Sequence, residues 1–268
     1  MKFSVLASGS GGNAYYIEAE ETKILVDAGL SAREIIRRLQ MVGARPETLN
    51  ALVITHEHRD HIRGAGPLAR RLNLPVYINA QTFSKAAGIL GNISQVISFH
   101  PGQSISINDL IIETFTKSHD AVDPIGLMIS LNGLRLGLIT DLGRSTRLVE
   151  DRLRYCQGLI IEFNHDKDML DQGPYPLQLK QRIKGPEGHL SNQEAGQLLG
   201  ILAHEDLRCV VLAHLSQENN SPDLAYEQAQ SVLNERGVKQ TRIYVSNQDR
   251  PVSMIDLSSR YNNSAGRI

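Results

Sequence analysis

Thr55-His56-Glu57-His58-Arg59-Asp60-His61 is the stretch on which the reading of this sequence turns. It follows the apolar run Ala51-Leu52-Val53-Ile54, so three imidazoles and the carboxylate of Asp60 stand together just past a strand-like segment. Imidazole and carboxylate donors suit zinc, manganese or iron. A histidine-rich surface turn is the plainer alternative. It is disfavoured because protonation of any one imidazole would set it against its neighbours, a conflict that a bound cation removes.

Outward from this stretch, strand and helix patterns alternate. Residues 2–7, 14–19 and 22–27 read as short strands separated by glycine-rich and acidic turns. Ser31, with Glu34 three residues on, predicts the N-cap of an amphipathic helix that buries Ile35, Ile36 and Leu39. Strands are expected at 51–55 and 75–78, with one helix at 62–72 between them. A strand-rich middle includes 111–116, 126–131 and 134–140, and Asn132-Gly133 is a hairpin signal. A helix is expected at 145–153 and a strand at 158–163, then helices at 191–203 and 222–236 and strands at 209–213 and 242–245. Residues 262–268 read as a frayed tail. No repeat, low-complexity linker or composition break divides the chain, so one domain over residues 1–268 is expected, with sheets inside and helices outside.

The 268 residues, 41% hydrophobic and 21% charged, fall in the ordinary globular range. No signal peptide or membrane-length apolar run is evident, and Cys156 and Cys209 are too few and too far apart for a disulfide framework. A soluble, cytoplasmic protein is expected, with no membrane role. A net charge of -1 argues against a protein that coats nucleic acid indiscriminately, while leaving room for a local basic cleft. Oligomeric state is not legible.

Gly9-Ser10-Gly11-Gly12-Asn13-Ala14 matches a dinucleotide-binding pattern, with Asp27 at about the expected 20 residues or so downstream. That fingerprint needs a helix to start within the glycines, where its N-terminus meets a pyrophosphate. Here Tyr15-Tyr16-Ile17 follows, which is strand-like, so a tight strand-to-strand turn is expected instead.

Three distant residues repeat the placement of the opening cluster. His119 follows the strand 111–116, Asp141 follows 134–140 and His214 follows 209–213. Alone, each is ordinary: a loop histidine is usually solvated, and an aspartate after a strand usually caps a turn. Together they matter, because strand ends in layered α/β proteins gather on one edge and form the working cleft. Five imidazoles (His56, His58, His61, His119, His214) and two carboxylates (Asp60, Asp141) can hold two divalent ions, one carboxylate bridging, with positions left for water.

The H-x-H-x-D-H element followed in order by His119, Asp141 and His214 resembles the metallo-β-lactamase superfamily, and the likeness runs from Leu25-Val26-Asp27-Ala28-Gly29 across nearly the whole chain. The resemblance implies an α/β fold, a four-layered αβ/βα sandwich of two facing mixed β-sheets with helices outside. It implies that His56, His58 and His119 hold one metal, that Asp60, His61 and His214 hold the second, and that Asp141 bridges. Asp27 would support the ligand loops without binding metal. Zinc or manganese, with iron also suitable, would occupy the pair of sites.

Ser8-Gly9-Ser10-Gly11-Gly12-Asn13, Gly188-His189-Leu190-Ser191-Asn192 and His214-Leu215-Ser216-Gln217-Glu218-Asn219-Asn220 are similar to the bacterial YycJ/WalJ-like branch. That likeness implies a 5′→3′ DNA exonuclease using a metal-bound hydroxide, with nucleic acid as partner and DNA favoured over RNA. Asp60 would orient the nucleophile. His189 resembles the histidine that protonates the leaving oxygen in tRNA-processing relatives; the competing reading is a loop histidine beside the Ser191 helix cap. The interval between Asp141 and His214 leaves no room for the inserted domain of the β-CASP members. A hydrolase of a small cyclic phosphodiester or thioester stays open as the alternative, and a non-catalytic protein with a structural metal is a third reading.

Asn164 and His165 lie at a plausible cleft edge. Candidate backbone-binding cations are Arg59, Arg63, Arg144, Arg147, Lys180, Arg182 and Lys184, each of which could equally be a solvated surface charge. Aromatic content of 5% with no tryptophan argues against a long base-stacking platform.

Overall fold

Both faces of most strands are covered, which explains why they read as nearly continuous apolar runs. In the computed structural model, which describes residues 1–259, Lys2–Ala7 (β1), Ala14–Glu18 (β2) and Lys23–Val26 (β3) form an antiparallel meander. Ala51–Val53 (β4), Val76–Asn79 (β5) and Val96–Phe99 (β6) extend it in parallel. Around them pack the helices Ala32–Met41 (α1), Arg59–Ile62 (α2), Ala65–Leu72 (α3) and Ala80–Leu90 (α4).

The second sheet runs through Ser104–Ile107 (β7), Leu110–Thr116 (β8), Ile125–Leu131 (β9) and Leu134–Ile139 (β10), then Gly158–Glu162 (β11), Cys209–Ala213 (β12) and Arg242–Val245 (β13). Its first four strands are antiparallel and the last connections parallel. Its helices are Arg147–Leu153 (α5), Lys167–Gln172 (α6), Leu177–Lys184 (α7), Asn192–Leu202 (α8) and Pro222–Glu235 (α9). Ile255–Asp256 (β14) returns to pair with β1, so the two seven-stranded sheets have the orders β14-β1-β2-β3-β4-β5-β6 and β13-β12-β11-β10-β9-β8-β7.

Side-chain alternation sorts each strand between layers. Tyr15 and Ile17 of β2 and Cys209, Val211 and Ala213 of β12 enter one core shared by the two sheets. Tyr16 faces out under α1, α3 and α4, while Val210 and Leu212 face out under α5, α8 and α9. The layers are therefore helix, sheet, sheet, helix, as the sandwich expectation required. Among the described residues, no helix is long and apolar enough to cross a membrane.

Local signals act where the sequence placed them. Ser31 accepts from Glu34 N–H, and Ser191 with Glu194 makes a full capping box on α8. Asn132 and Gly133, at φ 50° and 83°, form the two-residue turn between β9 and β10. The glycines at 9–12 join β1 to β2 with no helix between them, as expected.

The helix expected over 62–72 is instead two, α2 and α3, separated at Arg63-Gly64. Gly64 N–H donates to Ala28 O at 2.8 Å, and a Cβ at Gly64 would lie 2.0 Å from Leu30 O. The neighbouring chain comes too close for a continuous helix with side chains there. The tail expected at 262–268 lies outside the described residues.

Candidate metal centre

The four segments that carry the expected ligands converge at one edge of the sandwich. The chain leaves β4 and brings in His56, fully buried; His58 then caps the N-terminus of α2, whose first residues include Asp60 and His61. Asp141 follows β10 and His214 follows β12, with φ of 55° and 57°; Asp27, after β3, has φ 56°. The left-handed region is unfavourable for residues with a Cβ, at about 1–3 kcal/mol each, and persists only where the surroundings over-determine it. Here it turns each strand abruptly as the functional side chain leaves it.

Two groups of donors result. His56, His58 and His119 form the first, with ring centroids 4.8–5.1 Å apart and His119 Nε2 3.2 Å from His58 Nδ1. Asp60, His61, Asp141 and His214 form the second. Asp141 touches both: its Oδ2 is 3.2 Å from His61 Nε2, and its Oδ1 is 3.5 Å from His214 Nε2 and 3.9 Å from His119 Nε2.

Four of the five imidazoles share a polarity, whereas His58 presents Nδ1 to His119 and Nε2 towards Asp120 at 3.8 Å. His56 Nδ1 lies 3.0 Å from Thr55 Oγ1, His61 Nδ1 2.7 Å from Asp27 Oδ2, His119 Nδ1 3.3 Å from Gly188 O and His214 Nδ1 2.8 Å from Glu162 Oε1. An outward acceptor at each Nδ1 assigns a proton there and leaves Nε2 facing the shared centre, the arrangement that orients metal-binding histidines. His56 Nε2, His214 Nε2 and Asp141 Oδ2 are buried and make no hydrogen bond. Buried polar atoms are ordinarily satisfied, so three orphans converging on one centre fit a cation. The residues present therefore fit divalent metal.

Sequence and fold comparisons agree with this geometry. The model of the metallo-beta-lactamase superfamily matches residues 7–141, about half the chain. The chain is 37% identical over 239 residues to the exodeoxyribonuclease YycJ of Bacillus anthracis, spanning 88% of this chain and 90% of the relative. It is 39% identical over 229 residues to the exodeoxyribonuclease WalJ of Streptococcus pneumoniae, at 84% and 85%. This chain belongs to the metallo-β-lactamase superfamily. Within the superfamily it stands with the YycJ/WalJ-like branch, and its fold is matched by YhfI from Bacillus subtilis at TM-score 0.72, 18% identity, and coverage of 94% and 98%.

Beyond the donors, the superfamily member carries two buried carboxylates that hold the imidazoles. Asp27 Oδ1 accepts from Thr55 N–H at 2.8 Å, and its Oδ2 accepts from Thr55 Oγ1 at 2.7 Å besides meeting His61. Glu162, at the end of β11 and fully buried, accepts from the backbone N–H groups of Asp141, Leu142 and Leu190 and sits 2.9 Å from His189 Nδ1. Sequence reasoning missed Glu162. Its signal was a lone carboxylate closing the run Gly158-Leu159-Ile160-Ile161, where water cannot satisfy it.

The glycine loop also has a role. Asn13 Nδ2 lies 3.0 Å from His61 Nε2 and 3.3 Å from Asp60 Oδ2, and Asn13 N–H donates to Asp60 O at 2.8 Å. The turn that mimics a nucleotide motif is instead clamped to the donor loop.

Charge is shared closely in this small volume. Burial opposes protonation of His61, but Asp141, Asp27 and Asp60 together carry its pKa from 6.5 up to about 10. Burial works against the charged forms of His214 and Asp141 as well. Carboxylates nevertheless raise His214, and His214, His61 and Lys117 lower Asp141 well below the carboxylate range. His56 is pushed well below its usual value, first by burial and then by the charges of His61 and Lys117. Burial likewise lowers His119 to about 4. Without metal, protons on His61 and His214 offset the carboxylates, which is the office a divalent ion would take over.

His189 joins Asp141, Glu162 and His214 in a third group, and its ring centroid is 5.0 Å from that of His214. Asn164 donates through Nδ2 to His214 O at 2.9 Å and lines the cavity beside it. His165 is buried outside the three groups and lines a separate cavity with Lys167 and Glu194. Among the cations, Arg59, Arg144 and Arg147 are exposed and Arg63 reaches Gly11 O. Those of α7 are engaged: Lys180 and Lys184 with Asp171, and Arg182 with Asp120. Cys156 and Cys209 are free, buried thiols.

Proposed function

We propose that this protein is a dinuclear metal-dependent phosphodiesterase that removes nucleotides from DNA in the 5′→3′ direction. The observation that carries the reading is the position of Asp141, whose two oxygens lie within reach of both donor groups. His56, His58 and His119 would hold one ion, Asp60, His61 and His214 the other, and Asp141 both. Zinc or manganese suits these donors, and iron is compatible. When bound, the ions supply Lewis acidity that makes water nucleophilic near neutral pH and positive charge against the phosphate oxygens.

The chain's own residues do the rest. Asp60, with 27% of its side chain exposed, can accept a hydrogen bond from the attacking water and orient it. Glu162 anchors His189 at Nδ1, leaving His189 Nε2 as the atom that hands a proton to the departing sugar oxygen. Arg59 and Arg63 flank the donor loop and suit a phosphate backbone. DNA is favoured over RNA because the relatives from Bacillus anthracis and Streptococcus pneumoniae, matched over most of their length, are named as exodeoxyribonucleases. The two unpaired cysteines accord with a cytoplasmic enzyme.

The test is digestion of end-labelled DNA and RNA by protein loaded in turn with zinc, manganese and iron. Stepwise shortening of linear DNA from its 5′ end, with circular single strands resistant, is the expected result. Turnover of small cyclic phosphodiesters or thioesters alone would overturn the assignment.

A further inference from the structure

A cavity of 230 Å³ opens beside the metal centre. His189 and His214 line it on the side of the donors, and Tyr175, Leu179, Arg182 and Ile183 line it on the side of α7. No residue of α7 is fully buried, and Leu179 and Ile183 are half-buried. These two, four positions apart, share one face of the helix, and both reach the cavity. Their apolar side chains lie outside the hydrophobic cores and stay half-exposed at the cavity, where a ligand can cover them.

We propose that this cavity seats the terminal nucleotide of a DNA strand, with the base against Tyr175, Leu179 and Ile183 and the adjoining phosphate towards His189. The inference rests on the phosphodiesterase reading and adds a structural basis for action at a strand end. Several observations favour this occupant. The volume is on the scale of one nucleoside and falls below the roughly 300 Å³ at which pockets for drug-sized ligands begin. The lining joins the ring of Tyr175 and the aliphatic side chains of Leu179, Ile183 and Leu215 to the neutral polar groups of Asn164 and Ser216, while Asp120 at its wall is paired with Arg182, a composition that suits a base better than a second phosphate. Arg182 donates to Asp120 through Nε at 2.6 Å, and its remaining guanidinium nitrogens make no hydrogen bond among the described residues, so they can meet the backbone oxygen of a seated nucleotide.

Tyr175→Ala and Leu179→Ala, each in the full chain loaded with metal, test the assignment on end-labelled single-stranded DNA. Each variant is expected to raise KM about tenfold, as loss of one base contact does. Deoxyadenosine monophosphate should compete with DNA on the unaltered protein and be about tenfold weaker on the variants. Leu177→Ala, on the same helix but 69% exposed and outside the cavity, serves as the control and should keep the original KM. Melting temperatures should hold, because neither Tyr175 nor Leu179 belongs to a hydrophobic core. If the unaltered protein digests DNA and both cavity variants keep its KM and its inhibition, the pocket assignment is overturned. If the unaltered protein hydrolyses no phosphodiester with any of the three metals, the phosphodiesterase reading falls and takes this inference with it.

Discussion

Asp27 Oδ2 lies 2.7 Å from His61 Nδ1 and accepts at the same time from Thr55 Oγ1, which in turn meets His56 Nδ1 at 3.0 Å. One buried carboxylate at the end of β3 thus sets the ring orientation of a histidine in each donor group. Asp27 does not face the centre itself; it acts through the residues that do.

Asp27→Asn should therefore weaken metal binding without removing a donor. The amide keeps one acceptor oxygen, so its NH2 must face either the Thr55 backbone N–H or, flipped, the Thr55 hydroxyl and the proton on His61 Nδ1. A loss of about 10–100-fold in metal affinity is expected, the usual effect of removing a group that orients a ligand. Competition with a chelator of known affinity measures it; unchanged affinity in a folded variant would refute the role.

Metal loading should be coupled to pH through His61. Its pKa is about 10 in the metal-free fold against an ordinary 6.5, so at neutral pH an ion must displace a proton that Asp141, Asp27 and Asp60 hold in place. Affinity should rise as pH increases from 6.5 towards 10. The same shift acts on stability with the opposite slope. A raised pKa contributes fully below 6.5 and is lost as pH climbs through about 10, so this group's stabilisation of stripped protein should decline across that window. Urea denaturation of chelator-treated protein at pH 6.5, 8 and 9.5, compared with the metal-loaded form, checks both signs.

Gly29→Ala should uncouple the glycine loop from the donor loop. A Cβ at Gly29 would stand 1.6 Å from Asp60 O, the same carbonyl that accepts from Asn13 N–H. Backbone cannot yield cheaply there, so a loss of about 3 kcal/mol is expected, with displacement of Asp60. Denaturation midpoint and metal stoichiometry read the two effects, and a variant that keeps both would refute the close approach.

The convergence of the donors was legible because each of the four segments that carry them begins within three residues of a strand's end, at His56, His119, Asp141 and His214, and a sandwich gathers such places at one edge. What stayed hidden depended on contacts remote in sequence. The break at Gly64 exists because Ala28 and Leu30 press against it, which no periodicity reveals. The helix α4 was not read: Phe83, Ala86 and Leu90 are spaced for a helix, but Gly88 and polar neighbours dilute the pattern, although Asn79 does cap it by accepting from Thr82 N–H. The helix α7 has no fully buried residue and leaves Leu177 exposed, so it carries no clear core-facing stripe to detect. Glu162 reads as an isolated charge until His189 and His214, 27 and 52 residues away, fold onto it.

Glu162→Gln tests whether that carboxylate does more than fill space. Its two oxygens accept from three backbone N–H groups and meet Nδ1 of both His189 and His214. An amide of equal size keeps one oxygen and turns an NH2 towards donors, so whichever way it faces, at least two buried donors lose their acceptor. A cost of about 2–4 kcal/mol in stability follows from that alone. A purely structural role would end there. If Glu162 also aligns His189 for proton transfer, kcat should fall about 100-fold in protein that still carries its full complement of metal, and the loss should be smallest on substrates whose leaving group needs no proton, such as a p-nitrophenyl phosphodiester. Equal losses on DNA and on the activated ester would leave Glu162 as a support for the fold and for His214, and would remove His189 from the proton path.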